Sequence, residues 1–343
     1  MSYTTIDDPT IHFTTLLRNS IYGGSDTSYD IGFQPDWIWD KVRSTSGVHA
    51  WFDSVRGVGS SGKVIYSNTP NAEATNALIK SIDSSGFTIT ANSDHSSQTI
   101  VDWCWKAGGS ASSNTDGSIT STVSVNTDAG FSVGTYSANA TSGATVGHGL
   151  GVAPDWLIVK VRNATNNWAI FHKSLGATKA VYLDQNSAQY TDGWMNNTAP
   201  SSSVFTLSGG NYGNASGYTP VFYAFAEKKG YSKFGSYNGN GNANGPFIYT
   251  GFKPAFLIVK AYSNAQDWEI FDNKRSTFNP LEKNLAANST SSEQTDLDID
   301  FLSNGFKVRI VDDSVNNSSY SYIFMAFAES SFVNSNGIPG NAH

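Results

Sequence analysis

The chain is poor in the residues that most often announce an activity. Its 343 residues hold one cysteine, Cys104, which excludes an intrachain disulfide and any cysteine-built metal cluster. The surroundings of that cysteine, DWCWKAGG, read as a buried strand, where a thiol acts as a small hydrophobe. Charged residues make up only 14%, against about 25% in ordinary soluble domains. The 21 Lys and Arg against 28 Asp and Glu leave a net charge of −7 and no basic block. Nucleic acid is therefore not an expected partner, since binding it takes a concentrated Lys/Arg footprint. No apolar run approaches the roughly 20 residues that span a bilayer, so no membrane insertion is expected. The opening MSYTTIDDPTIHF carries acidic residues and no apolar h-region, so no signal peptide is expected either.

Helical periodicity is nearly absent. The best stretch, AEATNALIKSI from Ala72, is expected to supply two or three helical turns. There is no Gly-x-Ser-x-Gly elbow. The glycine-rich GHGLG from Gly147 and GNGNANG from Gly239 lead into no helix whose N-terminus could cradle phosphate. His148 and His172 lack a second ligand at zinc spacing. On these grounds the chain is expected to be no enzyme, with no cofactor and no metal.

What it does have is one line written three times: GFQPDWIWDKVR from Gly32, GVAPDWLIVKVR from Gly151 and GFKPAFLIVKAY from Gly251. Pro154 and Pro254 lie 254 − 154 = 100 residues apart, and Trp168 and Trp268 keep the same offset. A fixed period of this kind decides architecture before any site is considered. The strand vocabulary is dense in β-branched and aromatic residues bounded by Gly, Asn, Ser and Asp, as in TVSVNT, FLIVKAY and YSYIFMAFAE. About seven short strands per unit predict an all-β chain of three tandem β-sandwich, jelly-roll-like domains. The expected boundaries are 1–108, 128–228 and 229–330, with a Ser/Thr/Gly-rich linker or arm at 109–127 and a tail at 331–343.

Measured from the repeat prolines, a polar set recurs. Asp53 and Asp272 each lie 18 residues after the proline, with Arg56 and Arg275 three further on. Asn68 and Asn288 follow, then Glu73 and Glu293 five beyond each asparagine. The second copy departs, with His172, Leu175 and Thr191 at the Asp, Arg and Glu places and Asn186 near the Asn place. The set reads either as a polar ligand face present twice or as a brace between an Asp–Arg pair and a loop, and the brace is the simpler reading. Asp272 with Glu293 is the one repeated carboxylate pair that glycoside hydrolysis could use. Asp296, Asp298 and Asp300 alternate with Leu297, Ile299 and Phe301, which is what any solvated strand face gives and also what one face of a Ca²⁺ site would give. Trp37, Trp39, Trp51, Trp103, Trp156, Trp168 and Trp268 sit in apolar strands and read as core. Trp194, in TDGWMNN, has no counterpart and is expected to be an exposed aromatic.

The stretches GFQPDWIWDKVRS, AWFDSVRG, DWCWKAGG, ATVGHGLGVAPDWLIVKVR and GYSKFGSYNGNGNANGPFIYTGFKPAFLIVK resemble, in order, a repeat seen in virion proteins of tailed bacteriophages, notably marine ones. The resemblance runs from about Asp7 to Glu329. It implies a non-enzymatic virion structural protein, assembled in the host cytoplasm, with a tail-fibre or adhesin-like role in host attachment. A capsid decoration or head-fibre role is the alternative, and a glycan-binding or glycan-degrading tail protein a second. The implied partners are other virion proteins of tail or capsid, a host-surface glycan or protein, and further copies of the chain, a trimer among the options.

Overall fold

Strands form where branched and aromatic side chains can alternate across a pleat, and here they do so almost throughout. The computed structural model describes residues 4–21, 24–91, 97–210 and 212–339, and the chain is all-β. Among the described residues there is no α-helix, only a 3-10 turn at Pro9–Ile11 whose cap is Asp8. The expected helix from Ala72 is instead two strands, Ala74–Thr75 and Ile79–Ile82. Asn76 breaks it: its Oδ1 accepts a hydrogen bond from Leu78 N at 2.7 Å, a local turn that competes with helix. Leu78 and Ile79 are then buried under a neighbouring sheet.

Each copy of the repeated line runs through the middle of a large antiparallel sheet. The first sheet is ordered Phe13–Asn19, Thr99–Trp105, Trp37–Val42, His49–Asp53, Lys63–Tyr66, Ala74–Thr75. The third repeats that order with Ser232–Asn238, Ser321–Ser331, Phe252–Ala261, Trp268–Asp272 and Leu285–Ala286. The second has Phe131–Tyr136, Pro220–Phe225, Trp156–Val161, Ala169–His172, Lys179–Tyr182 and Tyr190–Thr191 in those places. It is extended at its edge by Ser121–Asn126 and Ser112–Asn114. Residues 109–127 thus contribute a hairpin to the second sheet. Facing the large sheets are small ones: Thr27–Asp30, Gly86–Ile89 and Ile79–Ile82; Ala144–Gly147 and Val204–Leu207; Phe247–Tyr249, Gly305–Val308 and Ile299–Leu302.

Large and small sheets enclose a separate apolar cluster in each repeat, around Ile38, Phe52 and Phe87; Leu157, Phe171 and Phe205; and Leu257, Phe271 and Phe306. The other faces of all three large sheets converge on a fourth cluster, shared by the whole chain. This explains why the repeated line is apolar without alternation: Trp156–Val161 is buried at every position, because both faces of the strand are covered.

The shared core is layered by strand register. Trp37, Trp156 and Phe256 lie opposite Trp105, Phe225 and Phe327. One step along, Trp39, Ile158 and Ile258 lie opposite Trp103, Tyr223 and Met325. A third step brings Lys41, Lys160 and Lys260 opposite Val101, Val221 and Ile323. Rings from different repeats meet directly: Trp37 and Phe225 at 5.9 Å, Trp105 and Phe327 at 5.6 Å, Phe225 and Phe327 at 5.9 Å. The three repeats therefore surround a common pseudo-threefold axis.

Trp194 corrects an expectation. It is 2% exposed and belongs to the second repeat's own cluster. The small sheet there has two strands where the other repeats have three. Trp194 and Met195 fill the space of the missing strand, on a turn where Asp192 Oδ1 accepts from Trp194 N at 2.9 Å. A loop-like sequence around an indole gave no sign of that vacancy. Cys104 is buried, as expected, and burial holds its thiol pKa well above the ordinary value.

Candidate functional site

The recurring polar set lies where one repeat meets the next. Asp53 is fully buried; its Oδ2 accepts from Arg56 Nε at 2.5 Å and its Oδ1 from Arg56 N at 2.8 Å. Arg56 also donates to the Trp51 carbonyl at 2.8 Å and to Glu73 at 3.3 Å. From the second repeat, the Tyr223 hydroxyl donates to Asp53 Oδ2 at 2.7 Å. Burial opposes the charge on Arg56, but Asp53, Tyr223 and Glu73 outweigh it and its pKa stands above the usual guanidinium value. In the third repeat Asp272 accepts from Arg275 Nε at 2.5 Å, and from the first repeat Trp103 Nε1 donates to it at 3.1 Å. Tyr223 and Trp103 hold the same register position, so the two braces are the same device.

Glu73 and Glu293 complete it. Arg162 of the second repeat donates to Glu73 through Nε at 2.8 Å and Nη2 at 3.0 Å. Arg43 of the first repeat grips Glu293 with two contacts of 2.8 Å, and this pairing raises the Arg43 pKa. Both are bidentate forks with fixed geometry. The third junction replaces the ion pair: Tyr262 stands at the place of Arg43 and Arg162, and its carbonyl accepts from Gln189 N at 2.8 Å. The corresponding backbone bonds elsewhere run from Glu73 N to Arg162 O at 2.6 Å and from Glu293 N to Arg43 O at 2.9 Å. Gln189, not Thr191, thus holds the glutamate place in the second repeat. Asp184, not Asn186, holds the asparagine place. Its Oδ1 accepts from Trp168 N at 3.0 Å, as Asn68 accepts from His49 N and Asn288 from Trp268 N, each at 2.9 Å.

Two further contacts pass around the ring in the same direction. Trp168 Nε1 donates to the Tyr66 carbonyl at 3.1 Å, and Trp268 Nε1 to the Tyr182 carbonyl at 3.0 Å. His49 stands at the equivalent place in the first repeat, beside the Ala286 carbonyl of the third. Lys160 Nζ donates to the Pro70 carbonyl at 2.7 Å, Lys260 to the Asn186 carbonyl at 3.0 Å and Lys41 to the Thr290 carbonyl at 3.2 Å. Second leans on first, third on second and first on third, so the ring closes. Burial pulls the lysine pKa values down to about 8 for Lys41 and Lys160 and about 7 for Lys260. The carbonyl cage is what makes a buried ammonium tolerable.

The eight polar residues singled out in the sequence are therefore brought together in two junctions rather than one open site. Asp53, Arg56, Asp272 and Arg275 have fully buried side chains, and those of Glu73 and Glu293 are only 10% and 13% exposed. Asp272 is engaged by Arg275, and Glu293 by Arg43 and Arg275. Of Asp296, Asp298 and Asp300 only Asp300 lies in the third repeat's small sheet, on Ile299–Leu302, where it is 3.3 Å from Arg309, while Asp296 and Asp298 precede that strand. Among the described residues no group of three or more His, Cys, Asp or Glu is placed to hold a metal ion. The motif lysines went unremarked in the sequence, where Trp168 and Trp268 read only as repeat markers and core. The signal was there, a lysine at the same place in three otherwise apolar strands.

The geometry defines an all-β protein whose internal repeats close into a ring through buried polar braces. The chain belongs to the family described as Domain of unknown function (DUF7483), whose model matches residues 8–331. No curated protein and no solved structure matches it.

Proposed function

We propose that the protein is a non-enzymatic structural component of a bacteriophage particle, with a tail-fibre-like role in attachment to the host surface. We read it as three sandwich-like repeats folded as one body. The observation that carries this reading is the closed ring: the polar residues that could have served chemistry are buried and spent on holding repeat to repeat. What is left at the surface is rich in Ser, Thr and Asn, with scattered charges and a few exposed apolar side chains such as Phe247 and Phe278. Such a body is suited to presenting loops rather than to turning over a substrate. Its partners are other virion proteins, further copies of the chain and a host-surface glycan or protein.

The pseudo-threefold axis favours one alternative, a capsid decoration seated where three capsid subunits meet. Antibody-gold labelling of intact particles, with mass spectrometry of purified virions, separates the readings. Label on the tail supports attachment and label on the head supports decoration. Absence from purified particles overturns both. Blocking of phage adsorption by the purified protein is the functional counterpart, and failure at saturating concentration counts against attachment.

A further inference from the structure

We infer that the second repeat carries a binding site for a neutral glycan, in the cavity between the loop at Thr165–Asn167, the loop at Tyr212–Tyr218 and Pro70 of the first repeat. The cavity measures about 380 Å³, within the range of small-molecule sites, roughly 300–1,000 Å³. Its uncharged lining sets it apart from the openings beside His12, which are lined by Asp36, Lys106 and Asp128 or by Asp7, Asp8 and Asp128. Tyr212 and Tyr218 give it aromatic surface, and Thr165, Asn166 and Asn167 give it hydroxyl and amide groups. Aromatic faces for the C–H side of a sugar ring and neutral donors and acceptors for its hydroxyls are the pairing a saccharide needs.

Three observations support a built site. First, the tyrosine wall is braced from behind: Tyr212 stacks on Tyr182 at 5.3 Å and 25°, and Tyr182 anchors its hydroxyl on Asp192 at 2.8 Å. Second, Tyr212 holds a left-handed backbone, φ 60°, an unfavourable conformation for a bulky residue that the surroundings must enforce. Asn163 keeps the Tyr218 end in place, donating to the Gly217 carbonyl at 2.7 Å and accepting from Thr219 N at 3.0 Å. Third, the equivalent place in the third repeat is closed on itself. There Ser314 replaces Tyr212 and bonds Gln266 at 3.5 Å, while Asn288 bonds Asp267 at 2.7 Å. Gln266 and Asp267 correspond to Asn166 and Asn167, whose side-chain amides have no hydrogen-bond partner among the described residues. Arg162 alongside is committed to Glu73 and Lys160 beneath to the Pro70 and Asn166 carbonyls, so both nearby cations are engaged by the protein rather than turned to an acidic sugar.

The glycan class rests on the attachment reading, but its test does not. Purified full-length protein is titrated with neutral glucose, galactose, mannose and N-acetylglucosamine oligomers of two to four units, using saturation-transfer NMR and calorimetry. Binding of at least one is expected, with Tyr218→Ala and Asn167→Ala each weakening it about tenfold, a change of about 1.4 kcal/mol. Phe247→Ala, on the exposed face of the third repeat, should leave it unchanged. Circular dichroism guards against misfolding, and the surface position of Asn167 keeps that arm informative if Tyr218→Ala is unstable. Host-envelope polysaccharide competing with the bound oligomer identifies the biological source, and no competition assigns the site to free sugars. No saturation transfer from any oligomer, or binding indifferent to both substitutions, overturns the inference while leaving the virion role to the labelling experiment.

Discussion

Asp272→Ala is the substitution that asks most of the ring. The carboxylate accepts from Lys274 N at 3.0 Å, Arg275 N at 2.8 Å, Arg275 Nε at 2.5 Å and Trp103 Nε1 at 3.1 Å. Removing it leaves the buried Arg275 guanidinium with the Ile270 carbonyl at 2.8 Å, the Trp103 ring at 5.5 Å and no carboxylate closer than Glu293 at 3.4 Å. Breaking a buried pair from one side costs about 3–5 kcal/mol, because the remaining charge is uncompensated. That is a large share of a stability of roughly 5–15 kcal/mol. The second repeat contains its own remedy, His172 with Leu175 at the Asp and Arg places. Asp272→His with Arg275→Leu removes both charges, and replacing a buried pair by apolar groups is often close to neutral. The double variant should therefore lose only about 1–2 kcal/mol. With Asp272→His and Arg275→Leu each costing about 3–5 kcal/mol alone, the coupling energy is at least about 4 kcal/mol in magnitude. Urea unfolding of the four proteins at pH 7.5 measures it. Additivity within about 0.5 kcal/mol, or a negligible loss for Asp272→Ala, would refute the brace.

Three further outcomes are expected. Burial holds the His172 pKa down to about 3, below an unfolded value of about 6.5. Its contribution is thus complete above pH 6.5 and is lost as pH falls towards 3. His172→Gln should flatten the stability profile between pH 6.5 and 4 by about one proton, and an unchanged slope by urea titration would contradict the assignment. Trp194→Ala should cost about 3–5 kcal/mol as a large-to-small core change; a loss below about 1 kcal/mol would return Trp194 to the surface. Cys104 should resist a thiol-specific disulfide reagent until the protein is unfolded, and prompt reaction of the native chain would show that the first repeat's core opens readily.

Much of the fold was legible because its causes are local or periodic. The strands announce themselves by branched and aromatic alternation, and the Asp–Arg pair by a spacing of three that survives in two copies. The closure of the ring was not legible. Its donors are Lys41, Lys160, Lys260, Trp168 and Trp268, and their acceptors are backbone carbonyls, which leave no mark in a sequence. Counting from the prolines also misplaced two residues, because the second repeat reaches its Asp184 in 30 residues where the others take 33 and 34. The helix expected at Ala72 failed for a related reason: a single Asn76 turn and two buried residues outweighed a weak helical pattern. Trp194 was misjudged because the strand it replaces is missing only in its own repeat.

The central claim is that the three repeats are held as one body by a shared core and the braces around it. Native-state hydrogen exchange, resolved by repeat, tests it most directly. The amides of Trp37–Val42, Trp156–Val161 and Phe252–Ala261 should open with the same free energy, within about 1 kcal/mol, and all should match the global unfolding free energy from urea. A repeat whose central strand exchanges through an opening cheaper by about 3 kcal/mol or more would contradict the account, because it would be unfolding alone while its neighbours stayed intact.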